Sequence, residues 1–159
     1  MPTAWRIVKA RYADRAFDGE GARLYGGRWN SPGIAVVYLA SSRSLAALEM
    51  AVHLDRAALL ASFVFISCEF DERLMTVVAP HALPPDWRDD PPPPALAAIG
   101  DSWVKAARSA LLEIPSAIVE QEANYLLNPA HPDSSRIRIG EPEAFAFDRR
   151  LGRASMPPG

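Results

Sequence analysis

Three side chains able to do chemistry lie within one short stretch: Arg28, Tyr38 and Glu49. Arg28 sits in residues 25–33, YGGRWNSPG, where three glycines and a proline predict a tight turn. Gly26 and Gly27 would let the backbone approach a ligand closely, and a guanidinium forks well onto a diphosphate. Tyr38 lies in residues 34–40, IAVVYLA, a β-branched run that predicts a strand. Glu49 lies in a helix predicted over 44–54. A strand leading directly into a packed helix can bring Tyr38 and Glu49 to a common cleft. Each residue has an ordinary alternative: a turn arginine, a core tyrosine with a satisfied hydroxyl, a solvated glutamate. Trp29 has packing as its alternative. The residues alone support an anion-binding cleft and no more.

The elements positioning this block follow from patterning. Along the strand, Val36, Tyr38 and Ala40 share one face, and Val37 and Leu39 share the other. Ser41, Ser42 and Ser44 offer capping hydroxyls for the next helix. Leu45, Leu48 and Val52 form its apolar stripe, with Glu49 at the edge. Strands are also predicted at residues 5–8, at 62–70 (buried on both faces), at 114–119, around Ile137 and Ile139 (half exposed) and at 145–147. A further helix is predicted from a cap at Asp101 through Trp103, Val104, Ala107 and Leu111. Residues 83–94, LPPDWRDDPPPP, read as an exposed surface connection. The tail from Gly152 is expected to be loose. Strands and helices mix without a βαβ rhythm, so the fold class is α+β.

Other chemistries are argued against. The chain has 159 residues, 49% of them hydrophobic, enough for one substantial core. A net charge of −2 disfavours a nucleic-acid binder, which usually shows a basic stripe. Cys68 is the one cysteine; it reads as an inert core thiol in an apolar strand. His53, His81 and His131 are scattered, so no metal site is expected. Residues 1–9 lack the apolar core of a secretory signal, and no apolar run reaches the ~20 residues of a membrane helix, so a cytoplasmic protein is expected. Residues 19–24, GEGARL, place Leu24 where a dinucleotide fingerprint needs its third glycine. There is no P-loop and no G-x-S-x-G elbow.

The run GGRWNSPGIAVVYLASSRSLAALEM with His53 and Leu54, then IPSAIV from Ile114 and NYLLNPAHPD from Asn124, resembles the RES-domain family. That family is named for an arginine, a glutamate and a serine, matched here by Arg28, Glu49 and Ser116. The likeness runs from Trp5 and Arg6 to about Ile139; the proline-rich segment and the tail carry none of it. It implies an ADP-ribosyltransferase-like fold, a split β-sheet with flanking helices around an NAD cleft. The domain would span residues 1–150, with 151–159 as a flexible tail.

The resemblance further implies a toxin paired with a Xre-type antitoxin. Such a protein cleaves the nicotinamide–ribose bond of NAD, as a phosphorylase or glycohydrolase, or transfers ADP-ribose to a target protein. NAD is then a substrate, with no permanently bound cofactor, and phosphate, water or a protein is the acceptor. By the same likeness, Glu49 stabilises the developing ribosyl cation. Arg28, helped by Arg6, holds the diphosphate, Tyr38 stacks on nicotinamide, and Trp29 and Asn124 line the NAD site. Ser116 bonds the ribose or positions Glu49; its alternative is a strand-end serine bonding backbone, and that of Asn124 is a helix cap. A non-catalytic partner-binding module is a third function.

Overall fold

Residues rich in β-branched and aromatic side chains form the central pair of strands. β1 (Thr3–Lys9) and β3 (Phe63–Glu69) run antiparallel over their full length, with Thr3 opposite Glu69 and Lys9 opposite Phe63. The computed structural model describes residues 1–155. The remaining strands are β2 (Val37–Ala40), β4 (Met75–Val77), β5 (Leu111–Pro115), β6 (Ala123–Leu127), β7 (Arg138–Ile139) and β8 (Glu143–Phe145). They build one sheet in the order β4-β5-β6-β2-β1-β3-β7, and β8 shares the outer edge of β3. All pairings are antiparallel except β4 with β5.

The sheet divides between β1 and β2, which share a single register pair, Trp5 opposite Ala40. The fold is therefore α+β with a split sheet, as expected. Arg6 closes the gap: its Nε donates to the Ala16 carbonyl at 3.0 Å and its Nη1 to the Tyr38 carbonyl at 3.3 Å.

Strand alternation sorts the core. Val37 and Leu39 pack with Ala4, Cys68, Phe70 and Leu127 on one face. Val36 and Tyr38 pack with Trp29, Leu96, Trp103 and Leu126 on the other. Both assignments follow the period-2 reading. Cys68 is buried, and desolvation pushes its thiol up to about 12.

Three α-helices are present among the described residues: α1 (Glu20–Tyr25), α2 (Arg43–Ala51) and α3 (Pro94–Ala106). Ser42 caps α2 by accepting the Leu45 N–H at 3.0 Å. The inward face of α2 differs from the expected stripe. Leu45 and Ala46 are buried against Ala40, Ile7, Phe63 and Phe65, whereas Leu48 is 42% and Val52 58% exposed. Small Ala46 and Ala40 let the helix lie close on the sheet, which rotates the buried face toward Ala46, Glu49 and Met50. Glu49 is thus half-buried beside the contact rather than at a solvent edge.

α3 also corrects the sequence reading. It begins at Pro94 inside the proline run, because a proline at the first helical turn forfeits no hydrogen bond. Asp101 is therefore inside the helix, and its carboxylate accepts the Ser31 N–H at 2.9 Å instead of capping. Leu111, assigned to that helix, lies in β5. Gly100 lets α3 dock: a Cβ there would fall 1.7 Å from the Trp29 carbonyl oxygen.

The other strand expectations shift by a few residues. β2 starts at Val37 rather than 34, β5 ends at Pro115 rather than 119, and the last strand lies at Glu143–Phe145 rather than 145–147. A 3-10 helix covers Arg149–Ser155, and residues 156–159 of the expected tail lie outside the described residues.

Candidate active site

Register places polar side chains on the helical face of the sheet. Asn124 on β6 lies opposite Ala40 on β2 and opposite Ile114 on β5; Tyr38 lies opposite Leu126. Directly opposed residues point to the same face, so Asn124 and Tyr38 occupy adjacent rows of it. α2 lies over this face and brings Glu49 down to Asn124. Ser116 stands just past the end of β5, in the hairpin connecting β5 to β6.

These three residues form one hydrogen-bonded cluster. Glu49 Oε1 accepts from Ser116 Oγ at 2.6 Å and from Asn124 Nδ2 at 2.7 Å. Ser116 is fully buried, and its Oγ also accepts the Ile118 and Val119 N–H groups at 3.1 and 3.0 Å. The two amides use the hydroxyl's lone pairs, so its proton is directed to Glu49. Both alternatives for Ser116 therefore hold together: it bonds backbone and it positions the carboxylate. Asn124 is a strand residue and not a helix cap. Its Oδ1 is the one buried side-chain oxygen or nitrogen without a partner among the described residues. Glu49 Oε2 has no such partner either and is not among the buried atoms, so it faces solvent.

Arg28 and Tyr38 belong to a second cluster, organised by the glycine turn. The Tyr38 hydroxyl donates to Asn30 Oδ1 at 2.7 Å and accepts the Trp29 N–H at 3.0 Å. Asn30, 1% exposed, donates through Nδ2 to the carbonyls of Ala22, Ser31 and Ile34. Gly27 is needed here because a Cβ would lie 2.6 Å from the Tyr38 oxygen. The glycine thus makes room for the phenol rather than for a ligand. Burial raises the Tyr38 hydroxyl above the ordinary tyrosine range; the Trp29 hydrogen bond and the Arg28 charge act against this, and Asp101 adds to it. The phenol stays neutral and clamps the turn.

Arg28 is half-buried, and its Nη1 donates to the carbonyls of Trp87 and Asp89 at 3.1 and 2.8 Å. The proline-rich segment is therefore tied to the site and is more than a surface connection. From its far side, Arg88 Nε donates to the Ala117 carbonyl at 3.0 Å, and Arg88 Nη1 pairs with Glu120 at 3.4 Å.

Two expected members sit apart. Trp29 is 2% exposed, its indole packed with Leu96, Trp103 and Leu126, so its role is the packing one. Arg6 shares the face of β1 that carries Ala4 and Val8, opposite Trp5. Its guanidinium, lowered by burial to about 10 against the pull of Asp18, remains a cation that bonds two carbonyls in the sheet gap. The sequence reading missed Asn30 and Arg88. Asn30 carried a signal, being an asparagine in a glycine-rich turn; Arg88 carried none. A recess of about 560 Å³ lined by Ala13, Phe17, Asp18, Ile66, Ile139 and Pro142 shares no residue with either cluster.

Chemically, the Glu49 cluster is an oriented carboxylate with one oxygen held and one free. The second cluster, the glycine turn, presents a guanidinium. The described residues contain no group of three or more His, Cys, Asp or Glu side chains able to hold a metal ion. No helix among them is long and apolar enough to cross a membrane.

Comparison with known proteins identifies the family. The family model described as RES domain matches residues 3–148. A protein named Toxin Res from Yersinia enterocolitica is 40% identical over 148 residues, covering 92% of this chain and 97% of that one. A protein named Prs ADP-ribosylating toxin from a Sphingobium species is 38% identical over 154 residues, covering 94% and 96%. Among solved structures, the M. tuberculosis MbcT-MbcA toxin-antitoxin complex contains a chain that superposes with a TM-score of 0.76 at 18% identity. That match covers 96% of this chain and 87% of the other, and it shows a shared fold. With the family match running from Thr3 to Asp148 and relatives 38–40% identical over more than nine-tenths of the chain, this chain belongs to the RES-domain family.

Proposed function

We propose that this protein is the toxin of a toxin–antitoxin pair and cleaves the nicotinamide–ribose bond of NAD. The carrying observation is the Glu49 carboxylate, one oxygen fixed by Ser116 and Asn124 and the other free. The bond between the ribose carbon and the pyridinium nitrogen breaks, and its electron pair leaves with neutral nicotinamide. The ribose carbon develops cationic character, which a nearby carboxylate stabilises. An anionic phosphate oxygen, or a water oxygen that loses its proton to solvent, then bonds to that carbon. Arg28 supplies the positive charge for the diphosphate. Tyr38 and Asn30 hold the turn that aims Arg28.

Incubating purified protein with NAD and phosphate tests this reading. Release of nicotinamide with ADP-ribose or its 1-phosphate is the expected result, and Glu49→Ala abolishes it. Intact NAD after prolonged incubation overturns it. The name of the Sphingobium relative favours a second reading, transfer of ADP-ribose to a protein. Label on a protein in lysate, with little free product, identifies that outcome. An antitoxin is the proposed partner, because the M. tuberculosis chain of the same fold was solved in a toxin-antitoxin complex; masking of the site is the proposed mode of inhibition. Co-expression with the neighbouring gene product should restore growth.

A further inference from the structure

We propose that residues 83–93 are a strap that orients Arg28 for its ligand, with Arg88 as the latch. This rests on the NAD reading above and adds a positioning residue to it. The strap is rooted by Leu83 and Trp87, which pack against the cluster containing Trp29, Leu96 and Trp103. From there its backbone crosses to the arginine turn. A guanidinium has five N–H donors, two of them on Nη1. The Trp87 and Asp89 carbonyls occupy Nη1, and among the described residues no acceptor is bound to Nε or Nη2. The free edge carries two parallel donors, the geometry that binds a phosphate in bidentate fashion. The strap thus restrains the arginine without consuming its recognition edge.

Arg88 ties this arrangement to the catalytic carboxylate. It bonds the carbonyl of Ala117, the residue after Ser116, and pairs with Glu120 in the same hairpin. One segment therefore spans the separation between the phosphate-facing turn and the hairpin that carries the Glu49 partner. Arg88 bonds the hairpin backbone and Glu120 rather than Glu49 and acts through the strap. Loosening it should weaken NAD binding and leave the chemical step intact.

The test compares wild type with Arg88→Ala and Arg88→Lys. In steady-state NAD cleavage, Arg88→Ala should raise KM about tenfold and change kcat less than about twofold, the pattern of lost ground-state positioning. Arg88→Lys keeps the charge toward Glu120 and should recover part of the KM. Hydrogen exchange on the same proteins should rise about threefold or more at the amides of residues 27–30 and of 118–122 together in Arg88→Ala. An unchanged KM, or a fall in kcat alone, overturns the proposal. Exchange that rises on one side only also overturns it. If wild type leaves NAD intact, the functional reading fails, and the strap is decided by the exchange result alone.

Discussion

Replacing Glu49 with glutamine separates chemistry from folding. Glu49→Ala would strip the acceptor from the fully buried Ser116 hydroxyl and from Nδ2 of the half-buried Asn124, so lost activity could reflect lost structure. Glutamine keeps the shape. Its carbonyl oxygen can take both donors, which forces the amide nitrogen into the place of Oε2. Only the negative charge and the free acceptor disappear. A unit charge about 4 Å from the ribosyl cation, at an effective dielectric of about 20, stabilises it by about 4 kcal/mol. That corresponds to about a thousandfold in rate. Nicotinamide release by Glu49→Gln, followed chromatographically under single-turnover conditions, should therefore drop about a thousandfold. The melting temperature should move less than about 3 °C, equivalent to about 1 kcal/mol or less. A drop below about tenfold with an unchanged melting temperature would refute the carboxylate's proposed role.

Three further outcomes follow from the packing and hydrogen bonds. Tyr38→Phe removes partners from Asn30 and the Trp29 amide and should cost about 2–4 kcal/mol in urea unfolding, while a loss under about 0.5 kcal/mol would contradict the clamp. Gly100→Ala drives a methyl into the Trp29 carbonyl and should cost about 3 kcal/mol or more, seen as poor soluble yield or a large fall in melting temperature. Cys68 and Tyr38 both have raised proton affinities when folded, so the unfolded chain loses their protons first as pH rises. Their contribution is complete below about pH 9 and is lost as pH climbs toward about 12; urea midpoints should fall between about pH 8 and about pH 11 in wild type, and less so in Cys68→Ala.

Several features were legible in the sequence because local chemistry decides them. The β-branched run ending at Ala40, the alternation of Val37 and Leu39 against Val36 and Tyr38, and the apolar strand around Cys68 depend on periodicity. The glycine-rich turn depends on backbone freedom. Glu49, Ser116 and Asn124 could be singled out by type and by resemblance, far apart in the chain.

Their meeting belongs to the tertiary structure. Which face of α2 turns inward is set by how closely Ala46 can approach Ala40, and this moved Glu49 from an expected edge to the contact side. The bond from Ser116 to Glu49 joins residues 67 positions apart, and that from Asn124 spans 75, separations that no local pattern encodes. Trp29 was consigned to the core by α3, which docks through a glycine that sequence alone gave no reason to notice. The proline-rich segment followed the same logic. Composition correctly kept regular structure out of most of it, because proline lacks the donor that helix and sheet require. Only the fold revealed that its carbonyls, left unpaired by that same chemistry, are satisfied by Arg28.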